Sequence, residues 1–406
     1  MKPNMKIFDS MKRVALVIFL LLMMLIPAGA QYHYQDSKNV EMLRHSEYRT
    51  PVRTEILIPQ VCGYNVYKAD LHTHSIFSDG SVTPQFRVQE AWQDGLDVIA
   101  ITEHMEYRGM EQTMIDFLKG YVAEGTKAIN TVLMDSPADD RGIQTDQNLP
   151  IRLAEQAAER YGITVIPGTE ISRTPETIGH YNALFITDAN KIYAADCYES
   201  FRLAKKQGAL IVHNHPGWRR TSMEIGPFEQ KAYDEGLIDG IETFNSADIY
   251  PLAIERAKKY GFFMVGATDA HGSIARDYLL EHPIRNLTMI FAKDKSLAAL
   301  REAMDNNLTI AYAWGHMTGE RSLLTDLFKA STQCRVERTD ANGTRTVALT
   351  NTTSLDYALR VDGGTPFNFN SFTTIHISVP AGEKLVVSVE NMWCGAEEHP
   401  VVELNF

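Results

Sequence analysis

Seven of the thirteen histidines in this 406-residue chain fall in five short motifs, three of which also carry a carboxylate. They are DLHTHSIFSDG at 70–80, ITEH at 101–104, HYNAL at 180–184, HNHP at 213–216 and TDAH at 268–271, and GTEIS at 168–172 adds Glu170. In an extended strand alternate side chains share a face, so His72 and His74 point the same way, and Asp79 follows just past the strand end. Imidazoles and a carboxylate meeting at one point suit a divalent ion held at roughly 2.0 to 2.2 Å by nitrogen and oxygen. An HxH pair alone is a weak signal, because a polar edge strand with incidental histidines looks the same. The weight comes from repetition: His104, Glu170, His180, His213, His215, Asp269 and His271 recur at similar places in successive segments. Cys62, Cys197, Cys334 and Cys394 show no CxxC spacing, which speaks against a thiolate metal site. No GxSxG is present, so a serine nucleophile elbow is not indicated either.

These donors need elements to bring them together. Short apolar runs alternate with amphipathic stretches: KADLHTH, DVIAITEH, ITVIPGTEIS, HYNALFI, GALIVHNHPGW, DGIETFN and FFMVGATDAHG read as seven strands. Helices are expected from Pro84 after the cap Thr83, over 109–134, 151–161, 196–207, 251–260 and 295–306. Such alternation calls for parallel pairing with right-handed crossovers, and the seven units suggest an α/β fold, a closed or nearly closed β/α barrel. Functional groups of such barrels sit at the C-terminal rim of the strands, where most of these donors fall. His180 lies instead at the start of its strand, so a reversed fourth segment is needed to bring it to that rim. Beyond residue 330 the pattern turns to alternating Thr- and Val-rich runs with Asn-Gly and Gly-Gly turns, an antiparallel β-sandwich-like domain over 330–406. His376 and His399 there read as surface residues.

Lys12 and Arg13 precede an apolar run from Val14 to Ile26 that ends in Ala28-Gly29-Ala30, the form of a signal peptide over 1–30. An N-terminal arm over 31–54 and a barrel domain over 55–320 complete the expected organisation. The address is then secreted or periplasmic, with no stable membrane anchor. Losing the four basic and one acidic residues of 1–30 takes the formal charge from −12 to about −15. A chain this acidic is a poor binder of nucleic-acid polymers, which are recruited by clustered Lys and Arg. In an oxidising compartment Cys334 and Cys394 could bridge; buried free thiols are the alternative.

DLHTHSxxSDG, ITEH, GTEIS, HNHP and TDAH, in that order, resemble the motifs of the PHP (polymerase and histidinol phosphatase) superfamily, metal-dependent phosphoesterases with a distorted seven-stranded barrel. More narrowly, IPQVCGYNVYKADLHTHSIFSDGSVTP and RVQEAWQDGLDVIAITEHMEYR are similar to the secreted Sb-PDE-type phosphodiesterases. The resemblance implies two or three divalent ions, Zn, Mn or Fe. His72, His74, Glu170 and Asp269 would hold one, Glu170 would bridge to a second on His180 and His215, and Asp79, His104 and His271 would hold a third. Asp79 stands where some relatives have histidine, and a carboxylate is an equally hard ligand. Glu103 reads as support for the ligands rather than as one of them.

The implied reaction is phosphoester hydrolysis, with the metals activating a shared water and neutralising phosphate oxygens, and a phosphodiester is the favoured substrate. His213 is a candidate proton donor to the leaving group. Arg219, Arg220 and Arg276 are candidates for contact with a small anionic phosphoester, and Trp218 for stacking on an aromatic leaving group. The rival readings are a phosphomonoesterase, an amidohydrolase on a similar barrel, and a noncatalytic binding protein. The oligomeric state is not indicated.

Overall fold

The computed structural model describes residues 52–107, 146–278 and 283–406, of which Arg53–Phe406 form one compact unit. The leader and most of the arm, the helix expected over 109–134 and the loop after it lie outside the described residues. No helix among the described residues is long and apolar enough to cross a membrane.

Strands β1 (Asn65–Asp70), β2 (Val98–Ile101) and β3 (Thr164–Ser172) pair in parallel. β4 (His180–Leu184) runs against both β3 and β5 (Leu210–His213), so the reversed fourth segment is present. β6 (Gly240–Asn245) returns to parallel pairing with β5, β7 (Asp248–Ile249) folds back on β6, and β8 (Phe263–Ala267) pairs with β6. On the other side β9 (Leu287–Ala292) lies antiparallel to β1, followed by β10 (Thr309–Ala313) and β11 (His316–Gly319). All seven strands read for the barrel are present, and the apolar run NLTMIFA forms β9 as its sequence suggests; among the described residues the sheet counts twelve rather than seven, the rest being the β7 hairpin, β10, β11 and one strand from the C-terminal region.

The sheet curls until β8 comes beside β9 and β10 without a ladder between them. Thr288 and Thr309 stitch this seam: Thr288 Oγ1 donates to Gly266 O at 2.9 Å and Thr309 Oγ1 to Met264 O at 2.9 Å. A Cβ on Gly266 would stand 2.7 Å from Leu287 O, so only glycine lets the two edges approach this closely.

Because side chains alternate, each strand feeds two cores. Ala69, Val98, Ala100, Ile166, Val212 and Val265 fill the inside of the curl. Ile99, Ile101, Val165, Ile211 and Ile241 face outward against the helices. Those helices are α1 (Pro84–Gln93), α2 (Leu149–Tyr161), α3 (Cys197–Lys206), α4 (Pro227–Asp234), α5 (Pro251–Tyr260), the short α6 (Ile274–Asp277), α7 (Leu297–Asp305) and α8 (Arg321–Ser331). Thr83 caps α1 by accepting from Phe86 N, with Pro84 opening the helix. Leu300, Ala303 and Met304 of α7 join the inner core, whereas the candidate donors follow the C-terminal ends of β1, β2, β5 and β8.

In the C-terminal region β12 (Thr332–Thr339), β13 (Arg345–Asn351) and β16 (Thr374–Val379) form one antiparallel sheet. β14 (Tyr357–Val361), β15 (Phe367–Phe369), β17 (Leu385–Val389) and β19 (Val401–Leu404) form a second, and β18 (Met392–Trp393) adds to β11 of the large sheet. Val347, Leu349, Tyr357, Leu359, Phe369 and Val387 are buried within the same core. All four cysteines are free thiols, so Cys334 on β12 and Cys394 after β18 do not bridge. His376 is half exposed and pairs with Glu337 at 2.8 Å.

Candidate metal centre

Beyond their last ladder bonds the strand ends stay in register. Asp269 N donates to His72 O at 2.9 Å, His74 N to Ala270 O at 3.1 Å, and Met105 N to Glu170 O at 2.8 Å. These bonds carry the motif residues to a common mouth. Nitrogen and oxygen atoms of His72, His74, Asp79, His104, Glu170, His180, His215, Asp269 and His271 gather there in four overlapping groups, each with its atoms within 4.8 Å of one another.

At the middle, His72 Nε2 and His74 Nε2 stand 3.1 Å apart, and Asp269 Oδ1 lies 3.2 and 3.1 Å from them. Glu170 Oε1 is 3.4 Å from His72 Nε2, 3.2 Å from His180 Nδ1 and 3.6 Å from His215 Nε2, while its Oε2 is 2.5 Å from His104 Nδ1. One carboxylate therefore touches two sides of the centre. On the remaining side Asp79 lies 3.5 Å from His104 Nε2 and 3.2 Å from His271 Nε2. The reversal of β4 is what places His180 here, since it pairs with Ser172 at the C-terminal end of β3 while Leu184 pairs with Gly168.

The donors fit divalent ions on grounds beyond proximity. Both ring nitrogens of His180 and Asp79 Oδ1 are buried without a hydrogen-bond partner, an arrangement that costs free energy unless something accepts their lone pairs. Burial alone would raise the Glu170 carboxyl, but the imidazoles of His104, His180 and His72 outweigh it and hold the group well below its usual range. Asp269 is depressed in the same way by His72, His74 and His271 against its burial. Burial, with His104 and His271 close by, pulls His74 down to about 3. Ionised carboxylates and a neutral His74 are the protonation states that metal binding requires, whereas His72, His104, His215 and His271 are raised against their burial by the carboxylates beside them and would give up a proton to an ion.

Supporting residues surround this shell. Glu103 accepts from Ser75 N at 3.1 Å, from Ser78 Oγ at 2.5 Å and from Ser75 Oγ, which pins the loop that carries Asp79. Arg87 of α1, fully buried, donates to the carbonyls of His74, Ala270 and Gly272 at 3.1, 3.0 and 2.7 Å, tying the β1 and β8 ends together. Glu242 of β6 accepts from His72 Nδ1 at 2.8 Å, and Asn214 donates to Glu170 Oε1 at 2.8 Å. Arg87 and Glu242 escaped sequence reading, although a lone charge inside GIETFN, a strand otherwise fit for burial, is the kind of anomaly that marks a paired group.

Two of the sequence expectations are corrected here. His213 does not face the centre: it stacks on Tyr181 at 4.7 Å, pairs through Nδ1 with Tyr233 Oη at 2.6 Å and lies 3.4 Å from Glu229. Burial and the nearby Arg256 and Arg220 hold it well below its ordinary pKa, so it has neither the position nor the proton for a donor role. Arg220 is likewise engaged, with Nη1 2.5 Å from buried Glu229 and Nε donating to Pro175 O. Arg219 is exposed, its guanidinium 5.3 Å from the Trp218 ring, and that ring lies 5.2 Å from both His180 and His215. Arg276 is exposed on α6, five residues past His271. Side-chain exposure of 39% at His271, 21% at Asp79 and 18% at Asp269, against 0 to 7% for the other donors, shows that the centre opens toward α6.

Residues 70–250 match the domain described as PHP domain. A solved structure from Bacteroides vulgatus, described as a two-domain protein containing a predicted PHP-like metal-dependent phosphoesterase, is similar at 30% identity and a TM-score of 0.75. That likeness covers 88% of this chain and 100% of that one. An uncharacterized protein of Methanocaldococcus jannaschii is 34% identical over 116 residues, 26% of this chain and 46% of the relative's length, so less than half of that relative is matched.

Proposed function

Since the chain belongs to the family of PHP-like metal-dependent phosphoesterases, we propose that it hydrolyses small anionic phosphoesters, phosphodiesters before monoesters, at the mouth where β1, β2, β3, β4, β5 and β8 converge. The observation that carries this reading is the gathering of nine nitrogen and oxygen donors, with Glu170 within 3.6 Å of His72, His104, His180 and His215. The same donor set would hold two or three divalent ions: His72, His74, Glu170 and Asp269 in the middle, His180 and His215 with Glu170 on one side, Asp79, His104 and His271 on the other. Zn, Mn and Fe all suit imidazole and carboxylate. Ions bound there supply the Lewis acidity that phosphoester hydrolysis requires.

The chain's own residues do the rest. Glu170, shared by two sides of the centre, keeps them at a fixed spacing. The open side, at Asp79 and His271, is the approach for substrate, and exposed Arg276, five residues past His271, is the candidate to meet a phosphate oxygen. Arg219 with Trp218 borders the His180 and His215 side. A leader at 1–30, as the sequence reads, would carry the activity outside the cytoplasm. Incubating the protein with Mn²⁺ or Zn²⁺ and a chromogenic phosphodiester beside its monoester tests the reaction. Metal-dependent turnover with diester preference is expected; monoester preference would favour a phosphomonoesterase, and no turnover by a metal-loaded chain would overturn the hydrolase reading.

A further inference from the structure

The Glu242 carboxylate grips two of the candidate ligands at once. Oε1 accepts from His72 Nδ1 at 2.8 Å, and Oε2 accepts from the backbone N of His215 at 2.6 Å. The first contact fixes a tautomer: with the proton on Nδ1, the lone pair of Nε2 faces Asp269 Oδ1, 3.2 Å away. The second supports a backbone that the chain would not otherwise favour. His215 has φ +24°, a left-handed conformation that costs a non-glycine residue free energy unless its surroundings hold it. His72, His215 and Asp269 form one of the four close donor groups, so both contacts act on the same part of the centre.

Glu242 is itself aimed by an irregularity in its strand. The register of β6 against β8 slips between Glu242 and Phe244, a bulge at Thr243. In a regular strand residues three apart face opposite ways. Across this bulge Asn245 instead reaches back, its Nδ2 donating to Glu242 Oε2 at 2.8 Å. Thr243 is pinned in turn, its Oγ1 lying 2.6 Å from Thr318 Oγ1 and its carbonyl accepting from Tyr250 N. Glu242 is wholly buried, so its only partners are those the fold provides.

We infer that Glu242 is a positioning residue for the ions that His72 and His215 would hold, setting their affinity while leaving the Asp79, His104 and His271 side untouched. The inference rests on the reading of the nine donors as metal ligands. Glu242→Gln keeps the shape but leaves a single acceptor oxygen for three donors, His72 Nδ1, His215 N and Asn245 Nδ2, and its amide nitrogen cannot accept from any of them. The test strips the full chain with a chelator and titrates it with Zn²⁺ against a colorimetric competitor. Relative to wild type, zinc in the middle and on the His180 and His215 side is expected to weaken about 10- to 100-fold while the Asp79, His104 and His271 side keeps its affinity.

Weakening of every site alike, or of none, would overturn the inference, as would a variant that only loses thermal stability with its zinc profile intact. Asn245→Ala keeps the question open to test if Glu242→Gln fails to fold. It removes one bond to the carboxylate and is expected to weaken the same sites by a smaller factor; an unchanged profile overturns the role. A wild-type chain that takes up no zinc, manganese or iron defeats the metal reading itself, an outcome distinct from either variant's failure.

Discussion

At the residue scale the donors divide by what surrounds them. His74, neutral and buried between His104 and His271 with Nδ1 3.3 Å from Ser78 Oγ, sits at the middle of the centre, so His74→Ala is expected to lower kcat by more than the about 10- to 100-fold typical of residues one contact further out. Circular dichroism should show the fold retained, and a fully active variant would mean that the site lies elsewhere. The arginines separate equally clearly. Arg220→Ala leaves Glu229 buried with its main counter-charge gone, which costs about 3 to 5 kcal/mol and should appear as a lowered Tm. Arg276→Ala removes an exposed charge at the open side and should leave Tm unchanged while raising KM about tenfold, the low end for a charge-assisted hydrogen bond. That the nine donors meet was legible in the sequence because each motif carries its own donor at a strand end. Arg87 and Glu242 were not, since Arg87 acts on backbone carbonyls and Glu242 on a ring and an amide supplied by other segments.

At the element scale, periodicity and caps disclosed the seven strands of the curl and helices such as α1 and α5, whose starts are marked by Thr83-Pro84 and Pro251. The reversal of β4 was legible only indirectly, from the place of His180 at the wrong end of its strand. α4 and α8 were not seen: α4 has eight residues behind a loop of polar and glycine residues, and α8 follows a short β11 hairpin that reads as irregular chain. The His213 error has the same origin. HNHP places two histidines two apart, yet β5 ends at His213, which still obeys the sheet's alternation and faces the helices, while His215 lies past the strand on a left-handed turn. The seam between β8 and β10 depends on Gly266, so Gly266→Ala should cost about 1 to 3 kcal/mol from forced separation of the edges, read as a fall in Tm. An unchanged Tm would show that the seam tolerates a side chain.

For the whole molecule, a formal charge of −12 and a core of ionised carboxylates both favour taking up cations. Ions that bind the folded chain and not the unfolded one add stability by mass action, about 2.7 kcal/mol at 100 times Kd. Chelation should therefore lower Tm, and adding the ion back should restore it; a Tm indifferent to chelator would contradict a centre built of nine converging donors. The central claim is that far-separated strand ends make one polynuclear metal site for phosphoester chemistry. Elemental analysis of the purified, active protein tests it most directly: about two or three equivalents of Zn, Mn or Fe per chain are expected, and less than about one equivalent in protein that still turns over substrate would contradict the account.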